Sequence, residues 1–479
     1  MSSEPATPAS EICFAPAREL AAAIRERRLS SVEVVSAFLD RIDAVDNRIN
    51  AVTTRVPRAE ALAQAEAADR AVAAGQPLGP LHGLPIAVKD LMDVAGLPTT
   101  HGSAPFAGAP PATTDSLLAE RLRRAGVVFV GKTNTPELGL GTVTFNGVFG
   151  PTRNPWDTRK NAGGSSGGAG AAVAAGMLPF ADGSDSGGSI RYPAAFCNLV
   201  GLRPSPGRIA SGRRGDGWSP HGVLGPIARD TADAGLLLSA LAGADPRAPL
   251  SIDDDPARFA AVRPAELSGL RIAWSPRGGG LPVEPEVRAV LAETLATLAA
   301  AGAEVEELEP ELFDDADECW ETVEMLGFLE AAAELVEEHR SELRRDLVRN
   351  VEQGRGLSAE QIVRGFGLRT EIFRATARLL SEYDALALPA TPVVSVPAGK
   401  TWPTEIDGTH LDRYFLWQRL ACRVTVTAHP ALSVPGGFSA DGLPVGLQLV
   451  GRHRGELELL GVAAAIEQAT GFGNRRPPL

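Results

Sequence analysis

The sequence is poor in cysteine, in aromatic residues and in positive charge. Its four cysteines are Cys13, Cys197, Cys319 and Cys422, scattered through 479 residues. No two form a CxxC pair, which argues against a structural metal site and for a reducing compartment. Aromatic residues make up 5% of the chain, so pockets are expected to be lined mostly by aliphatic side chains and backbone. Lysine and arginine number 46 against 59 aspartates and glutamates, for a net charge of −13. Such a chain lacks the clustered cations that phosphate binding needs, so nucleic acid is not expected as a partner. Long apolar runs are missing too. The most apolar segment, "GGAGAAVAAGMLPF" at 167–180, is too short and too glycine-rich to span a membrane. The first twenty residues, "MSSEPATPASEICFAPAREL", show no basic stretch followed by an apolar one. A cytoplasmic protein with no membrane contact is expected.

What is present is an ordinary globular mixture, 44% hydrophobic and 22% charged. It is long enough for one large core or two to three smaller ones. Residues 14–75 read as helical. Ser30 and Glu33 fit a capping box, and Val35, Phe38, Leu39, Ile42 and Val45 follow as one apolar stripe at helical spacing. From about residue 84, short strands and helices alternate. "GLPIAVKD" reads as a buried strand, Asp115 as the cap of a helix ending at Gly126, and "VVFVG" as the next strand. A Pro- and Asp-rich connector at 243–264 leads to "LRIAW" (270–274), a helix near 286–301 and "AEVEEL" (303–308). Residues 316–383 are helical, and 383–393 return to strand. "ALSVP" and "PVGLQLV" flank an Asp441–Gly442 turn before a closing helix near 455–469. The rhythm predicts an α/β fold. One domain over 1–479 is expected: N-terminal helices at 14–75, a core at 80–240, a helical excursion at 310–383 over one end, and strands and a helix at 428–470 returning to the core.

Several motifs compete for the chemistry. "GVVFVGKT" (126–133) satisfies the letters of a phosphate-binding loop. Such a loop needs small residues between its glycines so that N–H groups can curl round phosphate. Val, Val, Phe and Val stand there instead, which describes a buried strand. "NAGGSSGGAG" (161–170) is different, because two glycines flank each side of Ser165–Ser166 and let the backbone approach other groups closely. "SDSGGSIR" follows, with Ser189 directly after Gly187 and Gly188. Successive N–H groups at such a turn can all point at one spot, as an oxyanion hole requires. The same serine would also fit a helix cap. No histidine stands in a glycine–serine setting. A lysine, Lys89, ends the apolar strand of "GLPIAVKD". Burial lowers a lysine pKa by up to ~3–5 units, enough to make a free amine common near neutral pH. A free amine beside a serine can serve as its base, although a lysine at a strand end can equally lay its stem on the core and its head in solvent.

Taken together, "GLPIAVKDLMDVAGLPTTHGS", "VGKTNTPELG", "GPTRNPWD", "GGSSGGAGAAVAAGMLPFADGSDSGGSIRYPAAFCNLVGLRPSPGRI" and "HPALSVPGGFSADGLPVGLQLVG" resemble the amidase signature family. The correspondence is close over roughly 80–230 and 428–470. The resemblance implies an α/β/α sandwich around a large mixed, mostly parallel sheet, with the helical excursion over the active site. It also implies a Ser–Ser–Lys triad: Ser189 as nucleophile, Ser165 as relay after a cis bond from Gly164, and Lys89 as base. The N–H groups of Ser186, Gly187, Gly188 and Ser189 would hold the oxyanion. Asp185 and Arg191 would brace the loop, Ser166 would hydrogen-bond within the cluster, and Cys197 would be a core residue. No cofactor and no metal are implied. The expected substrate is a small or medium amide, with carbamates and esters as extensions, acted on by a monomer or homodimer.

Glutaminase subunits of tRNA amidotransferases look similar in the signature region. They typically read like "TVPANLAGLP" before the late strand, where this chain has "ACRVTVTAHP", with Arg423 and Thr425 in place of proline and asparagine, and Trp417 and Gln418 upstream. That reading is the main alternative. A non-catalytic or nucleotide-binding α/β protein is the other. The substrate pocket is expected from 142–146, the "RIASGRRGDGW" loop, the helix at 316–330 and the region of Arg423. In that loop Arg208, Arg213 or Arg214 would supply any cation. On the helix, Trp320, Met325, Leu326 and Phe328 would offer either an apolar acyl or aryl site or plain core packing.

Overall fold

A computed structural model describes residues 9–212, 216–309 and 313–479. The strands of its two main sheets, in chain order, are β1 (Val52–Arg55), β2 (Pro85–Lys89), β3 (Val128–Thr133), β4 (Phe180–Asp185), β5 (Val200–Arg203) and β6 (Val223–Ala228). They continue as β7 (Arg271–Trp274), β8 (Glu304–Glu307), β9 (Ala385–Pro389), β10 (Ala431–Phe438) and β11 (Pro444–Val450). Eight of them form one sheet in the order β8-β7-β9-β11-β10-β5-β6-β4. The other three form a small sheet, β1-β3-β2. Helices pack against the large sheet, as the α/β rhythm predicts. Every residue of β2, β3, β9 and β11 is buried. That is why these strands read as unbroken apolar runs rather than as alternating ones.

The large sheet is mixed, as expected, but its parallel part is small. Only β7 pairs in parallel, with β8 and with β9. The remaining neighbours, from β9 through to β4, are antiparallel. The tight return at Asp441–Gly442 is one reason: a hairpin of this length can only join antiparallel strands.

Local expectations hold in most places. Ser30 and Glu33 form a complete capping box on the Ser31–Ile49 helix, and Val35, Phe38, Leu39, Ile42 and Val45 are its buried face. Residues 14–75 also contain β1, too short to break the helical pattern visibly. Asp115 is not the cap of its helix. Ser116 takes that place on Leu117–Arg124, and Asp115 instead accepts from the Ala95 N–H and pairs with Arg123. Both are good capping residues, so side-chain type alone could not choose between them. The segment at 316–383 resolves into three helices, Ala316–His339, Arg345–Arg355 and Ala359–Glu382.

Two features of this frame position the site. The end of β2 carries Lys89, and β2 is an edge strand of the small sheet. The end of β4 leads straight into the turn that carries Ser189, and β4 is the edge strand of the large sheet. The site forms where those two edges meet.

Candidate active site

Lys89 is fully buried, and its amine faces hydroxyls only. Its Nζ lies 2.7 Å from Ser165 Oγ, 2.9 Å from Ser166 Oγ and 2.9 Å from Ser184 Oγ. Burial pushes its pKa down to about 7, against the pull of Asp182 and Asp185. A lysine in that state is a free amine in a large fraction of molecules at neutral pH. A neutral amine donates two hydrogen bonds and keeps a lone pair, so one of the three hydroxyls can donate to it.

The Gly167–Ala174 helix begins just after the serine pair, and its glycines let other backbone come close. A Cβ on Gly168 would lie 2.3 Å from the Asn134 nitrogen. Thr144 ties the pair down: its hydroxyl donates to the Ser165 carbonyl and accepts from the Gly167 N–H. The Gly164–Ser165 bond is cis, as the resemblance implies. The Ser166 N–H donates to the Ser189 carbonyl at 3.0 Å, which joins the two serine-bearing loops.

Asp185 organises the turn between β4 and the Arg191–Cys197 helix. One of its oxygens accepts from the Gly188 N–H, and the other from the Ile190 N–H and Arg191 Nε. Burial alone would raise its pKa, but the Arg191 and Arg203 guanidinium groups hold it well below the usual carboxylate range. Arg191 in turn reaches the Ala421 carbonyl, Gln448 and the Thr425 hydroxyl. Arg203 donates to the carbonyls of Asp185 and His221. Asp185 and Arg191 therefore tie the turn to the helix that follows it. Gly188 has φ +104, and a Cβ there would meet Ala421 at 2.6 Å and the Tyr192 ring at 2.8 Å, so only glycine fits.

The anticipated set of N–H donors loses one member. The Gly188 N–H is turned onto Asp185. The N–H groups of Ser186, Gly187 and Ser189 meet no acceptor among the described residues. Ser189 is buried, with 8% of the residue exposed. No histidine hydrogen-bonds to Ser165, Ser166, Ser184 or Ser189 among the described residues. His221 is buried and faces Glu324 instead.

Sequence reasoning missed Ser184, the third hydroxyl on Lys89, and Asp182, whose carboxylate accepts the Lys89 N–H at 3.1 Å. Both lie in or beside "GSDSGGSIR". They stand two residues apart on one strand and so share a face, the one opposite to that of Asp185. Other expectations fall away. Lys132 of "GVVFVGKT" is a buried residue of β3, paired with Asp90 at 3.3 Å, which removes the phosphate-loop reading. Arg208 is buried against Glu456, Asp254 and the Phe259 ring, so it offers no cation to a substrate. Arg213 and Arg214 lie outside the described residues. Arg423 is held by Asp317 and by the Gly278 and Gly279 carbonyls. Trp320 and Met325 are buried, and the Trp320 indole N–H points at the Ser186 carbonyl. Cys197 is buried, and burial pushes its thiol pKa up, as befits a core residue.

The sequence model of the amidase family matches residues 33–460. The chain belongs to the amidase signature family. It is an amidase, acting on carbon–nitrogen bonds. An acylamidase of Rhodococcus erythropolis is 37% identical over 466 residues, covering 96% of each chain. A glutamyl-tRNA(Gln) amidotransferase subunit of Moorella thermoacetica is also 37% identical, covering 98% of this chain and 99% of its own. Among solved structures, a bacterial aryl acylamidase of the amidase signature family superposes with a TM-score of 0.89 at 29% identity, covering 96% of this chain and 98% of its own. No helix among the described residues is long and apolar enough to cross a membrane.

Proposed function

We propose that the chain is a stand-alone amidase that hydrolyses small or medium apolar amides through an acyl-enzyme on Ser189, with aryl carbamates and esters as further substrates. The observation that carries this reading is the fully buried Lys89 amine, held by Ser165, Ser166 and Ser184 with no carboxylate among its hydrogen-bond partners. Ser189 Oγ attacks the carbonyl carbon of the substrate. Its proton passes to Ser165 Oγ, whose own proton passes to the free Lys89 amine. The carbonyl oxygen takes up the negative charge and receives the N–H groups of Ser186, Gly187 and Ser189. Collapse of the adduct breaks the C–N bond, and the amine leaves with a proton returned from Lys89 through Ser165. Water then attacks the acyl ester by the same relay and frees the carboxylic acid.

An apolar substrate is favoured by what surrounds the turn. Trp320 and Cys422 flank Gly187, while Ala421 and Tyr192 flank Gly188. Arg423 is already neutralised by Asp317. Thr425, the other departure from the glutaminase pattern, is occupied in holding Arg191. The protein is taken to work in the cytoplasm, as monomer or homodimer, without cofactor, partner protein or nucleic acid.

A hydrolysis screen tests the reading. It compares anilides, aliphatic amides, aryl carbamates, p-nitrophenyl esters and glutamine. Turnover of apolar amides or anilides well above that of glutamine is expected. Glutamine as the best substrate would move the assignment to the glutaminase of an amidotransferase.

A further inference from the structure

The carboxylate of Asp182 is fully buried in β4, and both of its oxygens face one main-chain N–H, that of Lys89, at 3.1 and 3.4 Å. The location is informative. β2 is an edge of the small sheet, and β4 is the edge of the large one. An edge strand leaves every second N–H without a ladder partner. At the last residue of β2, a side chain from β4 fills that vacancy. Asp182 thus hydrogen-bonds the main chain of the lysine-bearing strand to the strand that runs into the Ser189 turn. Above it, the Lys89 amine spans the same two edges through Ser184.

The charges around this point are few and buried. On β4, the charges of Asp182 and Asp185 act on the Lys89 amine without touching it, each favouring its ammonium form. Asp185 is compensated by Arg191 of the following helix and by Arg203 of β5. On β3, the charge of Lys132 is felt by Asp182, but Lys132 is paired with Asp90, just beyond β2, with Asp93 further along. That leaves Asp182 as the carboxylate beside Lys89 that no arginine compensates. Its own pKa is raised to about 6 by burial, with the Lys89 N–H and the Lys89 and Lys132 charges opposing the rise.

We propose that Asp182 is a positioning residue for the base: it anchors the main chain of Lys89 to the nucleophile strand, and its charge sets the pH at which the Lys89 amine becomes free. This rests on the reading of Lys89 as the base. A negative charge beside the amine favours the ammonium form, so it delays release of the proton to higher pH. Apolar burial pulls the other way. The position of the acid limb of activity is the outcome of that opposition.

The test is the pH dependence of kcat/KM for an apolar amide, measured on wild type, Asp182→Asn and Asp182→Ser. Asparagine keeps an oxygen for the Lys89 N–H and removes only the charge. Its acid limb is expected to move to lower pH by roughly one unit or more, the size of a nearby-charge effect. Serine removes the charge and shortens the reach. It should show the same shift together with a lower plateau, and it serves if the asparagine protein does not fold. The rate of Ser189 labelling by a sulfonyl fluoride, followed against pH, should shift in parallel without depending on any substrate. An acid limb that coincides with that of wild type in a folded variant overturns the proposal. Lys89→Ala separates the two levels. If it abolishes activity while Asp182→Asn leaves the limb in place, only the role of Asp182 fails; if Lys89→Ala stays active, the base assignment itself fails.

Discussion

Lys89 and Lys132 end neighbouring strands of one small sheet, and both are fully buried, yet their surroundings make them different chemical objects. Register places Lys132 beside Val88, one residue out of step with Lys89, so the pleat sends the two side chains to opposite faces. Lys132 meets the Asp90 carboxylate, the Met92 carbonyl and the Thr99 hydroxyl. Its positive charge is neutralised where it stands. Lys89 meets three hydroxyls and has its pKa lowered to about 7. Hydroxyls accept from an ammonium and donate to an amine equally well, so they hold the group in either state. A carboxylate holds it in only one. On the proposed reading, this is what distinguishes a base from a brace.

The comparison breaks first at the nucleophile. Ser189→Ala is expected to lower amide turnover by at least about 10⁴-fold, since loss of a hydrolase nucleophile removes the covalent route. Sulfonyl fluoride labelling, mapped by mass spectrometry, should fall on Ser189. Labelling confined to Ser165 or Ser166 would require the roles to be exchanged.

The two lysines come next. Lys89→Ala should cost ~10²–10⁴-fold in kcat/KM, the usual contribution of a general base. In wild type, activity should be present above an apparent pKa near 7 and lost below it, because the working form is the deprotonated amine. Lys132→Met should behave in the opposite way. It leaves the buried Asp90 without its cation, so its cost falls on stability, about 3–5 kcal/mol for a broken buried pair. Per folded molecule it should remain within about tenfold of wild type, a span of roughly 1.4 kcal/mol. A Lys132→Met protein that melts like wild type but has lost its turnover would erase the contrast.

Much of this was legible in the residues. "GLPIAVKD" and "VVFVG" read correctly as buried strands, because a run without polar residues needs cover on both faces. The glycines around Ser165 and Ser189 announced close backbone approach. The false phosphate loop fails for the reason its letters give, a strand between its glycines. What stayed hidden depends on contacts across long separations. Asp182 and Lys89 are 93 residues apart in sequence, and nothing local marks Asp182 as facing a main-chain N–H. Arg423 and Arg208 looked available for a substrate because their partners, Asp317 and Glu456, are 106 and 248 residues away. The direction of the Gly188 N–H depends on how Asp185 folds back three residues, a detail of dihedrals rather than of residue type.

Ser165 sharpens the comparison from the side of the hydroxyls. An amide needs a proton delivered to its leaving amine, whereas an activated ester hardly does. Ser165→Ala should therefore reduce alkyl amide hydrolysis about a hundredfold or more beyond its effect on a p-nitrophenyl ester, the lower end of a general acid contribution. The three N–H groups at 186, 187 and 189 remain to serve both substrates. The quantity to measure is the ratio of the two losses, on protein whose melting temperature is unchanged. A ratio near one would mean that Lys89 reaches Ser189 by a route that bypasses Ser165.

The smallest effect belongs to Ser184. Its hydroxyl accepts from Lys89 at 2.9 Å, and its N–H points at Ser166 Oγ at 3.3 Å. Ser184→Ala removes the first contact and keeps the second, because the second uses the backbone. One neutral hydrogen bond to the amine is lost out of three. Lys89 then has more freedom to turn, so kcat should fall by about threefold to tenfold, in keeping with the ~0.5–1.5 kcal/mol of a single hydrogen bond. The midpoint of the acid limb should stay within about half a unit of wild type, because a hydroxyl serves ammonium and amine alike. In that respect Ser184→Ala and Asp182→Asn form a pair: the first should change the height of the pH profile and the second its position. If Ser184→Ala moves the midpoint by a full unit or more, the hydroxyls are selecting one charge state of Lys89. The distinction drawn between Lys89 and Lys132 would then have to rest on the Asp90 carboxylate alone.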